Sequence, residues 1–230
     1  MRTTRFSRFT ARVAAVAAAA FMLLPQNATA ADSTTTASRA VAPMSLAQSI
    51  DLLPVGVEDR TGYDRAKFKH WVDADKDSCN TRAEVLIAES RVEPTVEAGC
   101  KVTAGQWYSY YDGVIVTVPG KLDVDHMVPL AEAWDEGASD WEPKRREAYA
   151  NDISVERSLV AVTAKTNRSK SDQDPADWLP PLADAHCQYA ADWVATKLRW
   201  DLTADAREIN ALRGVAAGCG HQTVKYEPAA

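Results

Sequence analysis

The sequence lacks the motifs of several common enzyme classes. It has no glycine-rich phosphate loop, no G-x-S-x-G nucleophile motif and no H-E-x-x-H zinc helix. The sequence therefore gives no support for assigning the protein to the nucleotide triphosphatases, the serine hydrolases or the zinc-helix proteases. It also lacks, after residue 30, an apolar run long enough to span a bilayer. With 46% hydrophobic and 25% charged residues among 230, the chain nevertheless has the composition of a globular protein with a core.

The first thirty residues have the pattern of a secretory signal peptide. Four arginines precede an apolar, alanine-rich segment over residues 13–24, and Ala28-Thr29-Ala30 is an A-x-A cleavage site without a lipid-accepting cysteine. We therefore expect a secreted, extracellular, soluble protein without a membrane anchor. Its expected parts are a signal peptide over 1–30, a disordered leader over 31–45 and one globular domain over 46–230.

The charge balance weighs against a nucleic-acid partner. Residues 1–30 contribute four arginines and no acidic residue, so the rest of the chain has 22 basic and 32 acidic side chains and a net charge of −10. Nucleic-acid binding depends on neutralising phosphates. Local basic patches decide that binding more than the sum of charges does, so the net charge does not exclude it.

Four cysteines predict two disulfides, because their number is even and the chain is exported. They are Cys79, Cys100, Cys187 and Cys219. Of the three pairings, we favour Cys79–Cys100 and Cys187–Cys219, since each closes a short loop and would stabilise the fold by roughly 3 kcal/mol. Paired cysteines leave no thiol for nucleophilic catalysis or zinc binding.

The hydrophobic pattern predicts an α+β fold. Helices are expected over 63–72, from Thr81 onward with Thr81–Glu84 as a capping box, and over 131–134, 144–151, 183–200 and 204–217, the last with Thr203 as N-cap. Strands are expected over 101–103, 106–111, 114–118, 122–128 and 158–163, with a hairpin turn at Asp112-Gly113. The second disulfide would join the two C-terminal helices as a hairpin.

Two segments carry residues suited to phosphodiester hydrolysis, which needs a base for water and a cation for the leaving oxygen. The strand 122–128 contains Asp125 and His126, and the strand 158–163 runs into Asn167-Arg168-Ser169-Lys170. Two strands and a helix in this order form a ββα unit. The oxygen ligands of Asp125 and Asn167 suit one Mg²⁺ or Mn²⁺ ion.

These segments resemble the HNH (ββα-metal, His-Me finger) nuclease signature. Asp-His-Met-Val-Pro at 125–129 and Lys-Thr-Asn-Arg-Ser-Lys-Ser-Asp at 165–172 are similar to the HNH module of RNA-guided CRISPR nucleases and to the C-terminal domain of GmrSD-type restriction enzymes. Further blocks at 79–86, 129–134 and 172–181 extend the likeness over about residues 63–219 and indicate the secreted actinobacterial branch of that family.

The resemblance implies roles for the matching residues. Asp125 and Asn167 would bind one divalent ion, and His126 would deprotonate water, leaving 5′-phosphate ends. Lys170, one helical turn beyond Asn167, would contact the same phosphate as a second catalytic residue. The resulting prediction is a secreted, monomeric endonuclease that favours DNA over RNA.

The sequence departs from the family pattern at one position, and one further block adds two residues to the expected site. The family's middle asparagine, which helps to hold the histidine, falls on Ser158, and Asn151 from the preceding helix is the alternative orienting residue. The block at 79–86 brings Arg82 and Glu84 to the expected active cleft.

A second hypothesis is a secreted binding module without catalysis. Asp73, Asp75, Asp77 and Glu84 fall at positions one, three, five and twelve of a calcium loop, with Ser78 where glycine is expected. In that case the carboxylates of 73–84 would bind Ca²⁺.

Overall fold

The computed structural model describes residues 42–229, which mix helices and strands in agreement with the predicted α+β class. The α-helices are α1 (Leu46–Ile50), α2 (Thr81–Ala88), α3 (Leu130–Asp135), α4 (Pro143–Ala150), α5 (Ala164–Lys170), α6 (His186–Trp200) and α7 (Ala206–Ala216). The strands are β1 (Met44–Ser45), β2 (Thr95–Glu97), β3 (Lys101–Ala104), β4 (Trp107–Ser109), β5 (Val114–Val116), β6 (Leu122–His126), β7 (Leu159–Thr163) and β8 (Thr223–Val224).

The globular part begins slightly earlier than predicted. The expected signal peptide over 1–30 and the leader up to residue 41 lie outside the described residues. The last two leader residues are ordered, since Met44 and Ser45 form β1 against β8, and Ser45 caps α1 through a capping box with Gln48. Among residues 42–229, no helix has the length and hydrophobicity to cross a membrane.

The strands of residues 42–229 pair as four antiparallel two-stranded ladders: β1–β8, β2–β3, β4–β5 and β6–β7. In the β4–β5 hairpin, Gly113 lies at φ +74° in the turn, a conformation that glycine adopts without a steric cost. The hairpin predicted at Asp112-Gly113 is therefore present.

The β6–β7 ladder separates two apolar clusters and carries α5 at its end. Val160 and Val162 of β7 face a large cluster that includes Trp193, whereas Leu122 and Val124 of β6 face a smaller cluster with α2. Burying each such side chain stabilises the fold by ~1.5–3 kcal/mol. Helix α5 follows β7 without a loop and packs against both strands, so β6, β7 and α5 form a strand–strand–helix unit.

Both predicted disulfides are present, Cys79–Cys100 and Cys187–Cys219, and the second joins α6 to the segment after α7. Two helix starts differ from the prediction. Asn80 caps α2 in place of Thr81, and Asp205 caps α7 in place of Thr203, because these two side chains accept the backbone N–H three residues ahead.

The helix expected over 63–72 is wrong. Asp64 caps only a 3₁₀ turn, Arg65–Lys67, and Phe68 is already extended at ψ 92°. Trp71 lies at φ +59°, a left-handed conformation that a continuing helix cannot contain. This irregular segment brings Trp71 against His126.

Candidate active site

The end of β6 places a carboxylate beside an imidazole. Asp125 and His126 are the last two residues of the strand, and each is only 6% exposed. Neighbouring side chains leave a strand on opposite faces. Because β6 ends at His126, both side chains nevertheless line one pocket.

A backbone carbonyl fixes the tautomer of His126. The ring Nε2 lies 2.9 Å from the carbonyl oxygen of Ala150. Since a carbonyl oxygen only accepts, Nε2 carries the proton and Nδ1 keeps a free lone pair. The rings of Trp71 and Tyr149 lie 5.4 and 6.5 Å from the imidazole, centroid to centroid. Burial lowers the pKa of His126 to about 3, so the ring is neutral at physiological pH.

Asn151 ties down the backbone next to this carbonyl. Its amide makes four hydrogen bonds, donating to the carbonyls of Lys69 and Glu147 and accepting from the N–H of Val72 and the hydroxyl of Thr81. The end of α4 is thereby joined to the irregular segment and to α2. Asn151 is thus placed to orient His126 through Ala150, and none of these four hydrogen bonds goes to the imidazole itself.

Ser158 is engaged elsewhere. Its hydroxyl donates to Asp152 at 3.2 Å, and its carbonyl accepts the N–H of Met127 at 3.0 Å. The second bond extends the β6–β7 ladder one step past His126. The side chain at the expected middle-asparagine position is therefore directed at Asp152, whereas Asn151 holds the backbone beside His126.

Asp125 is held by two buried donors on the same oxygen. Oδ2 accepts the hydroxyl of Tyr111 at 2.7 Å and the ammonium of Lys170 at 2.5 Å. Burial raises the pKa of Asp125, and the charge of Lys170 opposes this shift. Because both donors use Oδ2, Oδ1 is the oxygen left for the pocket.

Lys170 does not occupy the phosphate-contacting position expected for it. Its side chain is fully buried, and its three N–H groups go to Asp125 and to the carbonyls of His126 (2.8 Å) and Met127 (2.9 Å). An ammonium has three donors, so none remains for a substrate. Lys170 instead fixes the end of β6 and the carboxylate of Asp125.

Asn167 reaches the pocket from α5. Its Nδ2 donates to Asp123 at 3.3 Å, which leaves the amide Oδ1 as a free oxygen ligand. Asp123 also accepts Arg168 Nε at 3.3 Å. Sequence reasoning missed Asp123, although its spacing of two from Asp125 on one strand places both carboxylates on the same face.

The pocket has a volume of about 420 Å³ and combines Asp125, His126 and Asn167. Arg65 and Arg168 also line it beside Asp172, and Arg168 pairs with Asp123. A carboxylate oxygen and an amide oxygen at one cavity are a donor set that fits a hard divalent cation. The described residues thus bring the predicted metal ligands and the predicted base to the same place.

Arg82 and Glu84 do not line this pocket, contrary to expectation. Arg82 donates to the carbonyl of Leu122 at 3.1 Å and thereby holds the start of β6. Glu84 lines a separate pocket of about 580 Å³ together with Glu89 and Arg91. The direction of α2 turns both side chains away from the end of β6.

The predicted calcium loop is partly assembled. The carboxylates of Asp73, Asp75 and Asp77 are exposed and converge within 4.8 Å of one another. Glu84 lies close enough for their charges to raise its pKa in addition to burial, yet its oxygens are not part of the cluster. Backbone N–H groups already engage each of the three aspartates.

Comparisons with known proteins show the family of the chain. The model of the GmrSD restriction endonuclease C-terminal domain matches residues 77–215. A protein of Arthroderma benhamiae described as an uncharacterized secreted protein is 38% identical over 175 residues, which cover 76% of this chain and 83% of that protein. No solved structure gives a significant match.

Proposed function

Because this chain belongs to the family of GmrSD restriction endonuclease C-terminal domains, we propose that it is a metal-dependent endonuclease that hydrolyses nucleic-acid phosphodiester bonds. The observation that carries the proposal is the contact of His126 Nε2 with the Ala150 carbonyl, from which we infer that Nδ1 is unprotonated. Ala150 engages the proton-bearing Nε2, and the ring lines the same pocket as Asp125 and Asn167. In this proposal, β6, β7 and α5 are the ββα core.

His126 acts as the general base. Its Nδ1 accepts a proton from the attacking water, and the Ala150 carbonyl stabilises the imidazolium that forms, because it accepts the Nε2–H more strongly from a charged ring. Burial keeps the ring neutral before the reaction. The contacts of Asn151 and Trp71 limit the movement of the base.

Asp125 and Asn167 would hold one ion of the Mg²⁺ or Mn²⁺ type. Bound there, the ion supplies the positive charge that the leaving oxygen requires. Lys170 keeps Asp125 oriented and ionised, and its ammonium makes no contact with substrate. Cleavage on the 3′ oxygen side would leave 5′-phosphate ends.

Further observations support the substrate class and the extracellular location in this proposal. Arg65 and Arg168 line the pocket and would contact the substrate phosphates, although Asp172 lines it as well and Arg168 pairs with Asp123. The likeness to restriction endonucleases is our reason for proposing DNA, in preference to RNA, as the substrate. Two disulfides and the relative described as secreted support an extracellular location.

A plasmid-nicking assay on the purified, oxidised protein tests the proposal. We expect nicking with Mg²⁺ or Mn²⁺, none with a chelator, and DNA cut faster than RNA. Asp125→Asn and Asn167→Ala should weaken metal binding and cleavage together, whereas Asp75→Asn should leave both unchanged. Absence of cutting on DNA and RNA with every divalent ion, with Ca²⁺ binding lost in Asp75→Asn, would favour the binding-module hypothesis.

A further inference from the structure

A buried cluster of carboxylates surrounds one ammonium group away from the pocket of His126. Lys197 is fully buried, and Glu132, Glu136 and Glu208 around it are at most 3% exposed. The three N–H groups of Lys197 donate to Glu136, to Glu208 and to the carbonyl of Thr203. One positive charge therefore faces three buried carboxylates.

Two oxygens of this cluster have no hydrogen-bond donor. Glu132 Oε1 and Glu136 Oε1 are buried without one, and the contact of Glu132 with Lys197 is an ion pair at 3.7 Å. Buried polar atoms in folded proteins are almost always hydrogen-bonded, so two such oxygens on neighbouring carboxylates require a partner, which a proton, a water or a cation can provide. Glu208, in contrast, receives Lys197 on one oxygen and the indole N–H of Trp193 on the other.

A third carboxylate reaches the same point from solvent. Ligand oxygens of Glu58, Glu132 and Glu136 lie within 4.8 Å of one another, and Glu58 is exposed. Glu58 thus connects the two buried carboxylates to the protein surface. The adjacent group of Glu58 with Asp174 and Asp205 differs, because Arg207 and backbone N–H groups already satisfy those two aspartates.

We propose that Glu58, Glu132 and Glu136 form a second divalent-cation site, selective for Ca²⁺, that is separate from the catalytic pocket. Ca²⁺ accepts several carboxylates in flexible geometry, whereas Mg²⁺ demands a near-ideal octahedron and retains water. The ion would neutralise the excess charge beside Lys197. It would also connect Glu58, which precedes the irregular segment 63–72, to Glu132 of α3. Lys197 of α6, which pairs with Glu208 of α7, extends this connection to both C-terminal helices. None of its ligands lines the pocket of His126.

Thermal unfolding of the metal-stripped, oxidised protein tests the site without reference to activity. Extracellular calcium modules bind with Kd of ~10⁻⁴–10⁻³ M. Addition of ~10 mM Ca²⁺ should therefore raise Tm by about 3–10 °C, since ligand excess stabilises the folded state. Calorimetric titration of Asn167→Ala, which lacks a ligand of the catalytic pocket, should give a matching Kd for Ca²⁺ and weaker binding of Mg²⁺.

Two variants assign the effect to this cluster. Glu58→Gln changes an exposed residue, so it should keep the Tm measured in chelator and weaken Ca²⁺ binding at least tenfold. Glu132→Gln should abolish the Ca²⁺-dependent shift and raise Tm in chelator, because it removes one of three buried carboxylates that share a single ammonium. Should the second variant fail to fold, the first still decides the question.

Three control variants separate the other carboxylate groups. Asp205→Asn retains the cap of α7, Asn167→Ala alters the catalytic pocket, and Asp75→Asn alters the exposed aspartate cluster. Each should retain the Ca²⁺-dependent shift. The proposal is overturned if Ca²⁺ does not shift Tm, which would indicate that Glu132 and Glu136 share a proton, or if the shift survives in both glutamate variants.

Discussion

Replacement of Lys170 by methionine distinguishes a buried structural ammonium from a substrate contact. The side chain is fully buried and pairs with Asp125 at 2.5 Å. Methionine fills the space of the aliphatic stem but leaves the carboxylate of Asp125 without its cation. Removing one partner of a buried ion pair typically costs about 3–5 kcal/mol. For a domain of this size, that corresponds to a Tm lower by ~6–20 °C.

Urea unfolding and calorimetry of Lys170→Met measure this loss, with Lys165→Met as the matched control. Lys165 is exposed on the same helix, so its replacement should change stability by less than ~0.5 kcal/mol. In a double-mutant cycle with Asp125→Asn, we expect a coupling of ~1–3 kcal/mol. A stable Lys170→Met protein with only a raised KM for nucleic acid would refute this reasoning and restore the phosphate-contact role.

Further predictions concern the base and its surroundings. The pKa of His126 is lowered from 6.5 to about 3. Between these two pH values, the imidazole is protonated in the unfolded chain and neutral in the folded chain. Stability should therefore fall by up to ~1.4 kcal/mol per pH unit between pH 6.5 and 3, and urea titrations of His126→Gln should show a shallower fall. Asn151→Ala should cost ~1–3 kcal/mol in urea unfolding and, by loosening Ala150, reduce the nicking rate more than KM; an unchanged rate would contradict the positioning role. Replacing Cys187 and Cys219 by serine should cost about 3–4 kcal/mol for a separation of 32 residues, and equal denaturation midpoints would contradict that estimate.

The long periodic elements and the disulfides were predictable from the sequence. Helices α6 and α7 have clear apolar faces, and the short loops closed by neighbouring cysteines correctly favoured the sequential pairing. The segment 63–72 was not predictable from its pattern. Its aromatic residues have helical spacing, but tertiary contact of Trp71 with His126 and a left-handed backbone determine its conformation.

The candidate site was also predictable from the sequence only in part. Motif order predicted that Asp125, His126 and Asn167 lie together, because two paired strands and the following helix converge at one end. Hydrogen bonds to main-chain groups, such as the contact of His126 with the Ala150 carbonyl, cannot be predicted from side-chain motifs. Lys170 did leave a signal, since it follows the buried Thr166 by four residues and so shares its inward face of α5.

The most direct test of the central claim is the cleavage rate of His126→Ala under single-turnover, metal-saturated conditions. His186→Ala is the matched control, because the Nε2 of His186 also lies near a carbonyl, that of Pro180 at 2.8 Å, but His186 is absent from the pocket. Loss of a general base should slow cleavage by at least ~100-fold with metal affinity retained, while the control cuts at the wild-type rate. A His126→Ala protein that still cuts within about tenfold of the wild-type rate would contradict the assignment of the base.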